Sequence, residues 1–119
     1  MKDKDMTVLI NGYVDIKAED RTKALSAAAT LIKETRLQKG CQHYVWSADH
    51  TSDTRVYVYE KWDTTEDLVA HLAGPYYAQM LGILGSFEIL DTAVSKYKIA
   101  IEEPVYDPEG NPRGDFFTV

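Results

Sequence analysis

The sequence predicts an α+β domain in which a four-stranded antiparallel sheet of the split β-α-β type carries its helices on one face. Two observations predict this class. Element signals follow in the order strand, helix, strand, strand, helix, helix, strand, and such an order places the helices together on one side of a sheet. The chain has 119 residues, 45% of them hydrophobic, which suits one domain with one core.

The first two elements are a strand at residues 7–16 and a helix at residues 18–38. Alternation along the strand places Asn11 on one of two largely apolar faces, so we expect both faces to be covered. Acidic residues in the first helical turn suit the helix dipole, and Gly40 suits the left-handed position that follows a helix. The predicted apolar stripe of the helix comprises Leu25, Ala28, Leu31, Ile32 and Thr35.

The next two elements are strands at residues 41–48 and 55–62, joined as a hairpin by the polar residues 49–54. Tyr44 and Trp46 share one face of the first strand of this pair. Because side chains alternate between the two faces of a strand, one face of the second strand carries a carboxylate and an indole among apolar residues. That face comprises Val56, Val58, Glu60 and Trp62.

A pair of helices follows, and then a last strand. Asp63 or Thr64 can cap the first helix, Gly74 ends it, and Pro75 suits the first position of the second. His71 is predicted on the inner side of the first helix, and the fourth strand is predicted over residues 93–102. In the second helix, Tyr77, Met80, Leu81 and Leu84 are expected to cluster.

The domain is expected to span residues 1–102, and residues 103–119 form a turn-rich, proline-containing extension. The aromatic pair near its end suggests that the extension packs on a second subunit. Tyr57 and Tyr59 lie on a sheet face that is too apolar to stand in water, and such faces usually mark a partner surface. We therefore expect a homodimer in which two sheets pack together.

Composition excludes several classes of function. The net charge is −6 and no basic cluster occurs, which argues against nucleic-acid or anionic-membrane partners. No apolar run approaches the roughly 20 residues of a membrane span, and the charged start does not resemble a signal peptide, so a cytoplasmic location is expected. Cys41 is the only cysteine, and with three scattered histidines it predicts neither an intrachain disulfide nor a metal site.

Four segments of the chain carry a resemblance to a known family. Their order and spacing resemble the antibiotic biosynthesis monooxygenase family, whose members form dimeric α/β barrels from ferredoxin-like subunits. The resemblance covers about residues 7–102 and leaves the extension outside. The four segments are residues 40–44 (GCQHY), 55–62 (RVYVYEKW), 68–72 (LVAHL) and 75–77 (PYY).

The resemblance implies several activities. The family includes cofactor-independent oxygenases of quinols and anthrone-like aromatics, haem-degrading enzymes, and an isomerase of a signalling sugar derivative. In several oxygenases an Asn in the first strand and a Trp ending the third strand line the pocket, and by position these resemble Asn11 and Trp62. The haem-degrading branch has a histidine iron ligand where this chain has Met80 or Leu81, so haem degradation is not expected. Tyr76 stands where many relatives have His.

The candidate catalytic residues are Asn11, Trp62 and His71. The Asn11 amide could donate to a developing oxyanion, or hydrogen-bond a neighbouring loop. The Trp62 indole could stack on an aromatic ligand and donate its N–H, or only fill the core. His71 could be a general base, or a structural histidine. The candidate substrate contacts are Tyr44, Glu60, Tyr76, Tyr77 and Met80.

The leading hypothesis is a monooxygenase that needs no cofactor and oxidises a quinol or polycyclic phenol with dioxygen. No phosphate-binding loop, CxxC, HExxH or GxSxG motif occurs, so a cofactor is not expected. Two alternatives remain open. One is an isomerase or lyase of a small oxygenated metabolite on the same scaffold, and the other is a non-catalytic ligand-binding dimer.

Overall fold

A computed structural model describes residues 5–119. It confirms the predicted α+β class and the predicted order of elements. Each predicted strand and helix is present. The elements are β1 (Val8–Ile16), α1 (Ala18–Thr35), β2 (Cys41–Ala48), β3 (Arg55–Trp62), α2 (Thr65–Ala73), α3 (Pro75–Gly85) and β4 (Ile89–Lys98).

The four strands form one antiparallel sheet in the order β2-β3-β1-β4. One register row crosses the sheet from Tyr44 through Glu60 and Ile10 to Lys96. The first three side chains of this row are buried on the face that the helices cover. The row therefore positions a carboxylate in the middle of the covered face and a lysine at its β4 edge.

The hydrophobic core lies between the sheet and the helices, in two adjoining clusters. Trp62 is fully buried at the centre of the first cluster, and Met80 of α3 packs there at 3% exposure. The second cluster lies at the other end of the sheet, around Ile16 and Val56. Burial of these side chains drives the helices onto one face, and the opposite sheet face stays open within the described chain.

The helix boundaries after β3 follow the local sequence signals. The Thr64 side chain accepts a hydrogen bond from the Asp67 backbone N–H at 3.1 Å, so Thr64 rather than Asp63 caps α2. Gly74 ends α2, and Pro75 is the first residue of α3. The connection between them is short, and α2 and α3 pack against each other.

Two predicted boundaries were wrong. Helix α1 ends at Thr35, before the predicted residue 38, and the turns that follow end at Gly40, which has φ 79°. Strand β4 runs from Ile89 to Lys98 rather than over residues 93–102, because its pairing with β1 fixes its position. Nearly all of β4 is exposed, so it has no apolar alternation from which its ends could be read.

The extension beyond β4 is ordered mainly by its own hydrogen bonds. The Asp107 carboxylate accepts from the backbone N–H groups of Glu109 and Asn111, which closes a turn. The Glu103 carboxylate accepts from the backbone N–H of Phe117. An ion pair between Lys61 and Glu102 joins the residue just before the extension to β3. The division at residue 102 and the packing on a partner stay predictions.

Within residues 5–119 the helices are too short or too polar to cross a membrane.

Candidate active site

An open cleft lies on the helix-covered face, between the α2–α3 pair and strands β1 and β4. Its volume is about 600 Å³. A second cleft of about 290 Å³ shares the lining residues Leu72 and Lys96 with the first, so the two adjoin. The lining of the first comprises Ile10, Glu60, Leu72, Tyr77, Val94, Ser95 and Lys96. This lining combines apolar side chains with the polar residues Glu60, Ser95 and Lys96, and small-molecule sites usually combine apolar walls with a few placed polar groups.

Glu60 places a carboxyl group in the lining of the cleft. The residue lies in the middle of β3, and its side chain is only 8% exposed. The Trp62 Nε1–H donates a hydrogen bond to Glu60 Oε1 at 3.1 Å. Burial raises the pKa of the Glu60 carboxyl, and the hydrogen bond from Trp62 partly opposes that rise. A carboxyl with a raised pKa is a suitable group to accept and release protons near neutral pH.

Trp62 contacts Glu60 and His71 and does not line the cleft. Its side chain is fully buried, and its ring stacks on His71 with the ring centroids 4.6 Å apart. The ring N–H is engaged by Glu60. The structure therefore does not support the predicted stacking of Trp62 on a ligand, because His71 covers one of its faces and the core surrounds the rest.

His71 is buried behind Trp62, outside the cleft. Its Nδ1 lies 2.7 Å from the side-chain oxygen of Gln38, which can only accept, so Nδ1 carries the proton. Desolvation lowers the pKa of His71, and the imidazole is therefore neutral near pH 7. The ring borders a separate depression that Gln38, Lys39 and Ala70 also line. His71 is thus placed to orient the Trp62 ring rather than to take a proton from a ligand in the cleft.

The buried neutral imidazole predicts a loss of stability in acid. As the pH falls below about 6.5, the unfolded chain binds a proton at His71 that the folded chain rejects, so the free energy of unfolding decreases. His71→Phe keeps an aromatic ring on Trp62 but removes this proton. We expect urea unfolding between pH 7.5 and 5 to show a smaller loss for His71→Phe than for the wild type. His50→Phe, in the exposed turn, is the control, and an unchanged pH dependence in His71→Phe would contradict the assignment.

Asn11 lies on the opposite face of the sheet from Glu60 and Trp62. It pairs with Tyr59 in the register, and its side chain is exposed on the open face. The prediction that Asn11 and Trp62 point into one cavity was wrong. Strand alternation turns Ile10, rather than Asn11, toward the helices. The Asn11 amide therefore does not reach the cleft on the helix-covered face.

The structure brings only two of the five predicted substrate contacts, Glu60 and Tyr77, into the lining of the cleft. Tyr44 is 3% exposed in the core beside Glu60, and burial raises the pKa of its hydroxyl to about 12. Tyr76 is half-buried against the core, and Met80 is buried within it. All three side chains pack in or against the first core cluster, so they do not line the cleft.

Lys96 is the residue of the cleft that sequence reasoning missed. It lies on β4 opposite Ile10, on the same face as Glu60, and it borders both clefts. Its position could have been found only from the pairing of β4 with β1, because β4 itself has no clear pattern. Over residues 5–119, no group of three or more His, Cys, Asp or Glu side chains is arranged to hold a metal ion.

The fold and the cleft define a small α+β domain with a buried carboxyl beside a partly apolar cleft. The model of the family named antibiotic biosynthesis monooxygenase matches residues 7–82. This match covers more than half of the 119 residues, and the chain belongs to that family. The extension and strand β4 lie beyond the matched range.

Relatives of known sequence and structure are distant. An uncharacterised protein of Synechocystis, sll1783, is 23% identical over 100 residues, which cover 84% of this chain and 68% of the relative. A Deinococcus radiodurans structure named for the same family has a TM-score of 0.75 at 22% identity, covering 84% of this chain and 99% of its own. A Bacteroides thetaiotaomicron protein described as a possible oxidoreductase has a TM-score of 0.71 at 24% identity, covering 80% and 99%. These similarities concern the fold.

Proposed function

We propose that the protein oxidises an electron-rich phenol or quinol with dioxygen in the cleft, and that Glu60 accepts the phenolic proton. The observation that carries this proposal is the buried Glu60 carboxyl, which has a raised pKa and borders a cleft with both apolar and polar lining residues. Family membership and the oxidoreductase description of a structural relative agree with an oxidation.

The apolar side chains of the cleft suit the flat ring of an aromatic substrate. Ile10 lies beneath it, Leu72 and Tyr77 border it on the helix side, and Val94 borders it on β4. A ring bound against these side chains would place its hydroxyl toward Glu60. The hydrogen bond from Trp62 would hold Glu60 Oε1 in place, and Oε2 is the proposed proton acceptor. His71 would keep the Trp62 ring in position by stacking.

The proposed chemistry draws its electrons from the substrate. A phenolate is a far better one-electron donor than a phenol, so removal of the proton allows electron transfer to dioxygen. Recombination of the radical pair at a ring carbon bearing hydrogen forms a C–O bond, and loss of water then leaves a carbonyl. A phenol with a free para carbon and one dioxygen molecule give a para-quinone and one water. A quinol gives a hydroxyquinone and one water.

The test is oxygen uptake with a menadiol-type quinol and with an anthrone-type substrate. We expect the wild type to consume oxygen faster than the uncatalysed reaction, and ¹⁸O₂ to place one labelled oxygen atom in the product. Heat-unfolded protein at the same concentration is the control. Rates equal to the background for both substrates, or unlabelled product, would contradict the proposal.

The same carboxyl also favours a second candidate, an isomerase or lyase of a small oxygenated metabolite. A carboxyl with a raised pKa can remove a proton from carbon and return it elsewhere without any oxidation. Such an enzyme would turn over in the absence of oxygen, so an anaerobic assay separates the two candidates. Ligand retention with no product under either condition would indicate a binding protein instead.

We also propose that the protein is a homodimer that packs through the open sheet face. Support comes from two aromatic side chains that remain half exposed there, Tyr57 at 47% and Tyr97 at 49%. Asn11 would lie in that interface, where its amide could pair with polar groups of the second copy. Residues 103–119 would pack on the partner through exposed apolar side chains such as Phe116. Analytical ultracentrifugation tests this, and a monomer at micromolar concentration would contradict it.

A further inference from the structure

We propose that Lys96 forms an anion subsite at the β4 edge of the cleft. The substrate would then be an aromatic anion whose phenolic hydroxyl lies at the other end of the molecule, toward Glu60. This inference rests on the proposed function, because it assigns the substrate class of the same cleft. Its first support is geometric. Glu60, Ile10 and Lys96 follow one another across β3, β1 and β4 in one register row.

The spacing of this row suits a small aromatic molecule. Neighbouring strands lie about 4.8 Å apart, so the backbones that carry Glu60 and Lys96 are separated by about 10 Å. Ile10 fills the position between them and presents only apolar surface. A flat ring lying over Ile10 would therefore have a carboxyl at one end and an ammonium at the other.

The second support is the distribution of charge. The chain carries a net charge of −6, yet Lys96 lies on the helix-covered face of β4 and borders both clefts. Among the described residues that line the second cleft there is no Asp or Glu. The other lining residues are mainly apolar, among them Val8, Leu68 and Val69. An apolar cleft with the Lys96 ammonium at its edge, on an acidic protein, suits a ligand that is itself apolar and anionic.

The third support is that Glu60 and Lys96, at the two ends of the cleft, favour different groups of a ligand. An ionised Glu60 carboxylate can accept a proton from a hydroxyl group, but it repels an anion. The anionic end of a ligand is therefore kept away from the part of the cleft beside Glu60. Lys96 attracts the anionic end and offers no acceptor to the hydroxyl. The two residues together would set the orientation of the substrate. A hydroxyaryl carboxylate is the simplest molecule that satisfies both ends.

The test measures binding alone, under anaerobic conditions that prevent turnover. The probe is 6-hydroxy-2-naphthoate, and its neutral counterpart is 6-hydroxy-2-naphthamide. We expect the wild type to bind the acid more tightly than the amide by isothermal titration calorimetry. Lys96→Met should weaken binding of the acid about fivefold, in the range of a partly exposed ion pair, and leave the amide unchanged. Lys96→Arg should retain most of the affinity for the acid.

Lys33→Met is the matched control, since it removes the same charge from an exposed position on α1 that borders neither cleft. Equal affinity of the wild type for acid and amide would overturn the proposal, as would equal losses in the Lys96 and Lys33 variants. Failure of the proposed oxidation would appear separately, as selective binding of the acid with no oxygen uptake from any phenol. In that case the anion subsite stands and the oxidative function does not.

Discussion

Glu60→Gln is expected to lower kcat for phenol oxidation by about a hundredfold or more, because it removes the proposed general base. The amide keeps the size of the side chain and an oxygen that accepts from Trp62 Nε1. It cannot accept the phenolic proton. The measurement is oxygen uptake at saturating substrate, and we expect KM to change much less than kcat, since the walls of the cleft are unaltered.

The same substitution is expected to stabilise the protein at neutral pH. Burial raises the pKa of the folded-state Glu60 above its ordinary value of 4.5. As the pH rises above that value, the unfolded chain releases a proton that the folded chain retains, so the free energy of unfolding falls until the folded-state pKa is passed. Because the glutamine side chain does not titrate, the free energy of unfolding of the variant should not show this decrease with rising pH. Urea unfolding at pH 5 and pH 8 measures the difference.

Opposite changes in activity and stability distinguish the loss of a base from misfolding. A variant that merely misfolds would lose both, whereas the loss of a buried base should lower only the rate. Glu34→Gln, on the exposed side of α1, is the control and should change neither quantity. A Glu60→Gln variant that keeps wild-type kcat would remove Glu60 from the mechanism, and the proposed function would then need another proton acceptor.

Local signals in the sequence predicted most of the fold. Strand β3 and the break between α2 and α3 were predicted to the residue, because alternation and the Gly74–Pro75 pair act over short distances. Strand β4 was misplaced, because an edge strand exposed on both faces needs no apolar pattern. Its position depends on its pairing with β1, which no local signal within residues 89–98 specifies.

The candidate site was predicted less well, for a related reason. Glu60 and Trp62 were correctly placed on one face, since they lie two residues apart on one strand. Asn11 was assigned by its position in a resemblance, and a shift of one residue along a strand moves a side chain to the other face. Lys96 was missed because its relation to Glu60 exists only across two strand pairings. Pairing between distant segments is the part that one sequence does not specify.

Gly12→Ala is expected to have the largest effect on stability, because Gly12 allows the close approach of β4 to β1. The residue lies in the middle of β1, between Val58 of β3 and Val94 of β4 in the register. A Cβ atom at this position would overlap the carbonyl oxygen of Ala93 and crowd the Cα atom of Val94. Both are backbone atoms of β4, which cannot move aside without breaking the pairing. The φ angle of 157° adds strain for any residue with a side chain.

We therefore expect Gly12→Ala to lower the free energy of unfolding by about 3 kcal/mol, as for other substitutions that force a backbone to shift. Gly82→Ala is the matched control, since Gly82 lies within α3 and a Cβ there meets nothing within 4 Å. Alanine should stabilise that helix by up to about 1 kcal/mol. Denaturant unfolding of both variants measures the two effects, which have opposite signs. A Gly12→Ala variant as stable as the wild type would mean that β4 does not pair with β1 in the described register. The row that places Lys96 across from Glu60 would then be lost with it.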